Sequence, residues 1–211
     1  MRVDWAEPAA PAASGSELER VATRLLVAAA VELAALTVTG VLLLLFYRPS
    51  AGRAWGGRTH DRYPLSAVGL LRFAHRWQAH GLVVTLLAVA VVCVVRVMAR
   101  SRRRASSLVL AGGALLVGLF ASFTGFLLPW DQLALWAVKV GSNMMGYRPV
   151  ISGGSNVQFV LIGGSQISVG TLRWWLLVHV VLAPAVLVAL GAVLASHVGG
   201  HRSRRHTGLG S

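Results

Sequence analysis

The sequence predicts an all-α membrane protein, a bundle of four transmembrane helices with both termini in the cytoplasm. Hydrophobic residues make up 55% of the 211-residue chain, and its mean hydropathy is +0.66, which is typical of an integral membrane protein. Four apolar runs are each long enough to cross a hydrocarbon core about 30 Å thick as a helix. Arginine-rich tracts at 96–104 and 202–205 follow the second and fourth runs, so the positive-inside rule places both tracts on the cytoplasmic side.

The predicted helices span about residues 21–47, 73–98, 108–128 and 172–198. Residues 1–20 are polar and contain acidic residues, which favours a flexible cytoplasmic tail over a signal peptide. Arg48 and Pro49 end the first helix, and residues 48–70 form an outer loop. The connection from the third helix to residue 170 is too long for a turn, and long loops are often functional. Residues 199–211 form a basic cytoplasmic tail.

The formal net charge of +13 has two possible explanations. Nucleic-acid binding is one, but most of the chain is predicted to lie in lipid and much of the charge falls in the two cytoplasmic tracts. We therefore expect a multi-pass protein of the cell membrane with no nucleic-acid partner. The single cysteine, Cys93, lies in an apolar helix and excludes an internal disulfide or a cysteine-based metal site.

Two residues interrupt the apolar pattern of the first helix. Gly40 allows another helix or a flat ligand to approach closely. Glu32 is a carboxylate near the middle of the membrane, where ionisable groups are costly and often functional. A hydrogen-bonded or protonated side chain facing the bundle is the alternative for Glu32, and the sequence leaves both open.

Two histidines are predicted to lie at similar depth on helices that both run from outside to inside. His75 stands at the outer start of the second helix, and His179 lies one to two turns into the fourth. Histidines on facing bundle helices are what bis-imidazole ligation of haem iron requires, and Arg72 and Arg76 are placed to pair with haem propionates. The alternative is that each histidine is an unrelated polar residue near the membrane interface. That would readily explain one such histidine, but it explains two at matched depth less readily.

Four stretches carry a resemblance to a known family: RFAHRW on the second helix, TG and FYRP on the first, FTGFLLPWDQLALWAVKV after the third, and SVGTLRWWLLVHVVLAP on the fourth. Together they resemble cytochrome b of the quinol-oxidising bc and b/f complexes, most closely the short, split form with four helices. The resemblance covers about residues 20–198. It implies that His75 and His179 are axial ligands of the outer, low-potential haem b, that Arg72 contacts a propionate, and that Gly40 and Gly125 let the helices approach the haem face.

The resemblance also implies an outer quinol site and further subunits. Its candidate site residues are Trp130, Asp131, Gln132, Trp136 and Lys139. The family's glutamate for quinol oxidation lies in a further three helices with no counterpart in this sequence. We therefore expect a separate subunit to carry those helices.

The sequence departs from the family where a second, inner haem would be bound. The family's inner histidines lie fourteen residues further along the second helix and fourteen or fifteen along the fourth, about 21 Å deeper. Those positions are Val89 and either Val193 or Leu194, and Leu26 and Ala111 replace the two inner glycines. Because none of these residues can ligate iron or leave room for a porphyrin, we predict one haem b and no inner haem.

No other residue in the sequence restores a second site. His80 lies only about 7.5 Å below His75, whereas His197 lies about 27 Å below His179, so the two cannot pair. The cysteine that tethers an extra haem in the b/f type would fall near Arg24, where there is none.

The leading hypothesis is a monohaem cytochrome b subunit that exchanges electrons with quinol or quinone near the outer face, beside a Rieske-type iron–sulfur protein or another redox subunit. The second is a haem-bearing membrane anchor that links an outward-facing dehydrogenase or reductase, such as a hydrogenase or molybdoenzyme, to the quinone pool. The third is a structural paralogue without redox work, against which the presence of Arg72 and both histidines argues. The sequence shows no nucleophile–base pair and no nucleotide loop, so catalysis by this chain alone is not expected.

Overall fold

The computed structural model describes residues 15–47, 66–100, 105–146, 162–163 and 166–199. The helices are α1 (Gly15–Phe46), α2 (Ala67–Arg100), α3 (Ala105–Leu127), α4 (Gln132–Gly146), α5 (Val169–Leu177) and α6 (Ala183–Gly199), and a π-helical turn, Val178–Leu182, joins α5 to α6. The predicted terminal tails beyond 15–199 and most of the predicted outer loop lie outside the described residues.

Within the part of the chain that the structure describes, four helical segments are long and apolar enough to cross a membrane: Glu17–Phe46, Ala67–Ala99, Ala105–Leu127 and Val169–Val198. The last of these combines α5, the π turn and α6. The predicted all-α, multi-pass membrane fold is thereby confirmed. The cytoplasmic location of the termini stays a prediction.

The membrane-spanning helices pack in a ring, in which α1 contacts α2, α2 contacts α3, α3 contacts α6 and α6 contacts α1. This order makes α2 and α6 one diagonal pair and α1 and α3 the other. Three apolar layers fill the bundle along its length. The inner layer contains Ala22, Val89, Cys93, Ala111, Leu194 and Val198; the middle layer contains Ala29, Leu82, Leu86, Ala114 and Leu187; the outer layer contains Leu127, Ala134, Val138, Ile162, Trp175 and Val178.

The first helix begins earlier than the sequence predicts. α1 starts at Gly15, so residues 15–20 are helical and do not belong to the tail. Glu17 in the first turn complements the helix dipole. The Oε1 atom of Glu19 lies 3.9 Å from Nη2 of Arg96 on α2, and the Arg96 side chain is only 4% exposed. Arg96 therefore joins two helices at the inner end instead of lying in a solvated arginine tract.

Part of the long connection after α3 is itself a helix, which the prediction of a loop missed. The Ala134 N–H donates to the Asp131 carboxylate at 2.9 Å and the Leu135 N–H donates to the Asp131 carbonyl at 2.9 Å, so Asp131 is the N-cap of α4. Trp130, just before the cap, is buried and has a φ of 51°. An aspartate followed by spaced apolar residues is a helix-start signal that could have revealed α4.

Tyr47 ties the end of α1 to the turn after α3. Its hydroxyl donates to the Leu128 carbonyl at 2.8 Å, and burial raises the pKa of the Tyr47 phenol, so the hydroxyl keeps its proton at neutral pH.

We expect Tyr47→Phe to lower the free energy of unfolding by about 1 kcal/mol, because it removes this hydrogen bond while keeping the ring. Thermal unfolding in detergent, followed by circular dichroism, measures the change. Phe46→Leu is the matched control because Phe46 is 61% exposed. Equal melting temperatures for Tyr47→Phe and the native protein would contradict the prediction.

Candidate functional site

The two histidines singled out in the sequence meet at the axis of the bundle. His75 comes from α2 and His179 from the π turn, which lie on the same diagonal of the helix ring. Their ring centroids are 6.3 Å apart and their planes cross at 67°. The site lies at the end of the bundle opposite Arg96. The helix ring therefore brings together two side chains that are 104 residues apart in the chain.

Each imidazole is held through its Nδ1 atom by a helix of the other diagonal. On α1, Thr39 Oγ1 lies 2.8 Å from His75 Nδ1. On α3, Thr124 Oγ1 and the Ala121 carbonyl both lie 3.0 Å from His179 Nδ1. These contacts engage Nδ1 and leave each Nε2 atom as the nitrogen available to a ligand. Neither threonine was singled out in the sequence.

A glycine follows each of these threonines and makes room for the imidazole. A Cβ atom on Gly40 would lie 3.3 Å from Cε1 of His75, and one on Gly125 would lie 2.8 Å from Cε1 of His179. The resemblance implied that these glycines admit a haem face. In the structure they lie directly against the two histidine rings, and Gly125 fits the more tightly of the two.

The π turn that carries His179 has a local cause. Pro184 has no N–H and its ring would clash with the carbonyl four residues back in a regular α-helix. The chain widens instead, and the Ala183 N–H donates to the Val178 carbonyl, five residues back. Single π turns inside α-helices are frequent at functional sites. The stretch SVGTLRWWLLVHVVLAP, which carries part of the resemblance, ends on Pro184, but the sequence did not predict the turn.

The other basic candidates flank the pair or point away from it. Arg72 is half-buried and Arg76 is exposed, both within one turn of His75. His80 is exposed and lies edge-on to Trp77, with ring centroids 5.8 Å apart. His197 is also exposed, and its Nδ1 lies 2.8 Å from the Val193 carbonyl of its own helix.

The five quinone-site candidates lie in different surroundings. Trp130 is buried at the turn before α4, and the Asp131 carboxylate caps that helix. Gln132, Trp136 and Lys139 are exposed, and the Lys139 ammonium lies 5.2 Å from the centroid of the Trp136 ring. The structure thus gives Asp131 a structural role, and the quinone contacts of the five stay a prediction.

Four of the five positions that the resemblance implies for an inner haem lie in the inner apolar layer or pack against it. Val89, Ala111 and Leu194 are each 1% exposed within it, and Leu26 packs against it. Val193, the alternative position on the fourth span, is 45% exposed and faces away from the bundle. Four side chains from four different helices therefore fill one volume.

Glu32 lies between the paired histidines and the inner layer. Its Oε1 atom accepts a hydrogen bond from the Thr85 hydroxyl at 3.2 Å, and a Cβ atom on Gly81 would lie 3.5 Å from the same oxygen. The carboxyl group therefore faces α2, as the hydrogen-bonded alternative predicts. Leu26 is six residues away along α1, or about 9 Å, so Glu32 stands above the inner layer.

Comparison with known proteins agrees with this architecture. A family model described as cytochrome b (N-terminal)/b6/petB matches residues 82–207, more than half of the chain. The chain is 30% identical over 153 residues to cytochrome b6 of Cyanidium caldarium, covering 71% of this chain and 68% of that protein. The chain belongs to the cytochrome b family.

Two further relatives show how much of a cytochrome b the chain represents. It is 32% identical over 163 residues to the cytochrome bc complex cytochrome b subunit of Chlorobaculum thiosulfatiphilum, covering 76% of this chain but only 36% of that protein. It is 27% identical over 161 residues to cytochrome b6 of Heliobacterium mobile, covering 73% of that protein. The chain thus spans about a third of the bc complex subunit and most of the b6 proteins.

Family membership implies a haem b, and the residues around the histidine pair fit one. Two imidazoles carried by different helices of one bundle are a donor set that would hold haem iron. The observed separation of the His75 and His179 rings is 6.3 Å. Gly40 and Gly125 leave the space beside the rings that a larger residue would fill.

We expect glycine-to-alanine variants to lose haem in proportion to the space that each Cβ would invade. Gly125→Ala should lose most because the new Cβ would press on the His179 ring, and Gly40→Ala should lose less. Gly112→Ala is the control, since nothing lies within 4 Å of a Cβ there. The haem-to-protein ratio of the purified variants measures the effect, and equal ratios in all three would contradict the prediction.

Proposed function

We propose that this chain is a monohaem electron-transfer subunit that holds one haem b between His75 and His179 and exchanges electrons with quinol or quinone near the outer face. The observation that carries the proposal is the facing pair of imidazoles, 6.3 Å apart, each held through Nδ1 by a neighbouring helix. A haem b in this position supplies one-electron redox chemistry. The side chains of the protein have to bind the haem, orient its ligands and exclude water.

The two histidines supply the Nε2 lone pairs, and their Nδ1–H groups stay engaged with α1 and α3. Such contacts fix the tautomer and the orientation of a ligating imidazole. Arg72 and Arg76 supply positive charge at the outer edge, where haem carboxylates need partners. Apolar side chains of the middle and outer layers exclude water from above and below the pair.

Packing of the inner layer supports a single haem. Protein interiors are close-packed, with few voids larger than a water molecule. Val89 and Leu194 stand where the family has ligands, and Leu26 and Ala111 stand where it has glycines. A second porphyrin would have to displace all four side chains.

A single haem near one face confines electron exchange to that face. Quinol or quinone is the small-molecule partner that we propose, and an iron–sulfur protein of the Rieske type or another redox subunit is the protein partner. A separate subunit would supply the helices of the longer relatives. These partners follow from the family resemblance.

We expect one haem b per polypeptide in the purified protein, with loss of haem in both His75→Ala and His179→Ala. Pyridine haemochrome spectra of protein quantified by amino-acid analysis measure the ratio. His80→Ala and His197→Ala are matched controls, because both side chains are exposed on the same two membrane spans. They should retain the native haem content.

Other haem counts would refute specific parts of the proposal. Two haems in the native protein would show that the inner layer does not exclude a porphyrin. No haem would favour a structural paralogue without redox work. Loss of haem in the His80→Ala control but not in His75→Ala would show that His75 is not the ligand.

The inner layer can be tested by reopening it. We expect Val89→His with Leu194→His to leave the haem count at one, because Leu26 and Ala111 still occupy the space. Adding Leu26→Gly and Ala111→Gly should raise the count above one. A second haem in the double-histidine variant would show that the missing ligands, and not the packing, exclude it.

A further inference from the structure

We propose that Thr39 is the positioning residue on which the orientation of His75 depends, whereas His179 is held by two independent acceptors. The two sides of the site are therefore unequal: loss of one threonine hydroxyl releases His75, and loss of the other does not release His179. This inference rests on the proposed function, because it concerns how the chain presents its two imidazoles to the haem.

On the His179 side, the tautomer is fixed by a backbone carbonyl. The Ala121 carbonyl lies 3.0 Å from His179 Nδ1 and can only accept, so Nδ1 must carry the proton. Thr124 Oγ1 lies at the same distance, but its own proton goes to the Ala121 carbonyl at 2.9 Å. The His179 ring also lies close against the backbone at Gly125, where an added Cβ would come within 3.4 Å of both Nδ1 and Nε2. His179 is thus restrained even without the Thr124 hydroxyl.

On the His75 side, the described residues provide a hydroxyl as the one acceptor for Nδ1. Thr39 Oγ1 lies 2.8 Å from Nδ1. A hydroxyl can donate or accept, so it fixes a tautomer only when its own proton is committed elsewhere. The Ala35 carbonyl lies 2.9 Å from Thr39 Oγ1, closer than the Leu36 carbonyl at 3.2 Å or Gln78 Oε1 at 3.3 Å. Thr39 therefore donates to its own helix and accepts from His75 Nδ1–H.

The consequence for iron binding follows from the imidazole's two nitrogens. With Nδ1 protonated and accepted by Thr39, the Nε2 atom of His75 keeps the lone pair that a metal needs. Without that acceptor, the neutral ring can carry its proton on Nε2, and a proton there blocks the lone pair that a metal needs. The His75 ring lies less closely against Gly40 than the His179 ring does against Gly125, since a Cβ added at Gly40 would come no nearer than 3.3 Å to His75. Packing alone therefore does not replace the hydroxyl.

The test compares Thr39→Val, Thr39→Ser and Thr124→Val in the holoprotein. Loss of an outer partner of a metal-ligating histidine typically weakens metal binding by about 10–100-fold. We expect Thr39→Val to accelerate haem transfer to apomyoglobin by a factor in that range and to shift the highest g value of the low-spin EPR signal. Thr39→Ser should keep both at native values, and Thr124→Val should change the transfer rate by less than about 10-fold, the lower end of that range.

Each contrary result overturns a definite part of the inference. Native behaviour in Thr39→Val would show that His75 does not need the hydroxyl. Equal effects in Thr39→Val and Thr124→Val would remove the inequality of the two sides. Failure of Thr39→Ser to rescue would mean that the lost methyl packing, and not the hydrogen bond, is responsible; a purely structural effect would also lower thermal stability without moving the EPR signal.

A second measurement separates this inference from the proposed function. Nitrogen-15 NMR of histidine-labelled, haem-free protein in detergent reports the tautomer of each ring directly, with His75→Ala and His179→Ala variants for assignment. We expect the Nδ1–H tautomer at both positions in the native chain and its loss at His75 alone in Thr39→Val. If the native protein binds no haem, the proposed function fails, while the NMR result still decides the role of Thr39. An Nε2–H tautomer at His75 in the native chain would overturn the inference.

Discussion

Two imidazoles approach each other at the axis of a membrane-spanning bundle, and each spanning segment either carries one of them or holds one in place. His75 and His179 come from helices on one diagonal, so neither helix can orient the ring of the other. The helices of the other diagonal do this, each with a threonine that meets Nδ1 and a glycine that admits the ring. One diagonal pair of spans thus supplies the imidazoles, and the other pair orients them. A polar pair in lipid is costly, and hydrogen bonds of this kind are what make it tolerable.

The rest of the bundle is organised as apolar layers above and below this pair. The middle layer carries one polar contact, between Glu32 and Thr85, which joins α1 to α2 within the membrane. The inner layer is filled by side chains from all four spans. Because packing at such a site is close, whether a porphyrin fits there depends on the whole layer and not on one ligand alone. At the inner end of the bundle, Glu19 and Arg96 form a contact between α1 and α2.

Spans, their order and the depth of individual residues could be predicted from the sequence, because bilayer thickness fixes helix length and helical rise converts residue spacing into depth. That is why His75, His179 and the four inner positions could be located. Contacts between spans could not be predicted in this way. Thr39 meets a histidine 36 residues away and Thr124 one 55 residues away, and no local pattern encodes such a contact. The start of α1 was misjudged for the same reason, since Glu19 is engaged by Arg96 of another helix. By contrast, α4 carried its own start signal in Asp131.

The π turn has a consequence for how positions on the fourth span correspond to those on the second. On α2, fourteen residues separate His75 from Val89, and both face the interior of the bundle. On the fourth span, the residue fourteen beyond His179 is the outward-facing Val193, and the inward-facing one is Leu194, fifteen beyond. The wide turn behaves as one inserted residue that shifts the phase of everything after it. The spacing is one residue longer on the fourth span because the π turn before Pro184 adds one residue. Val89 and Leu194 therefore both face the interior of the bundle.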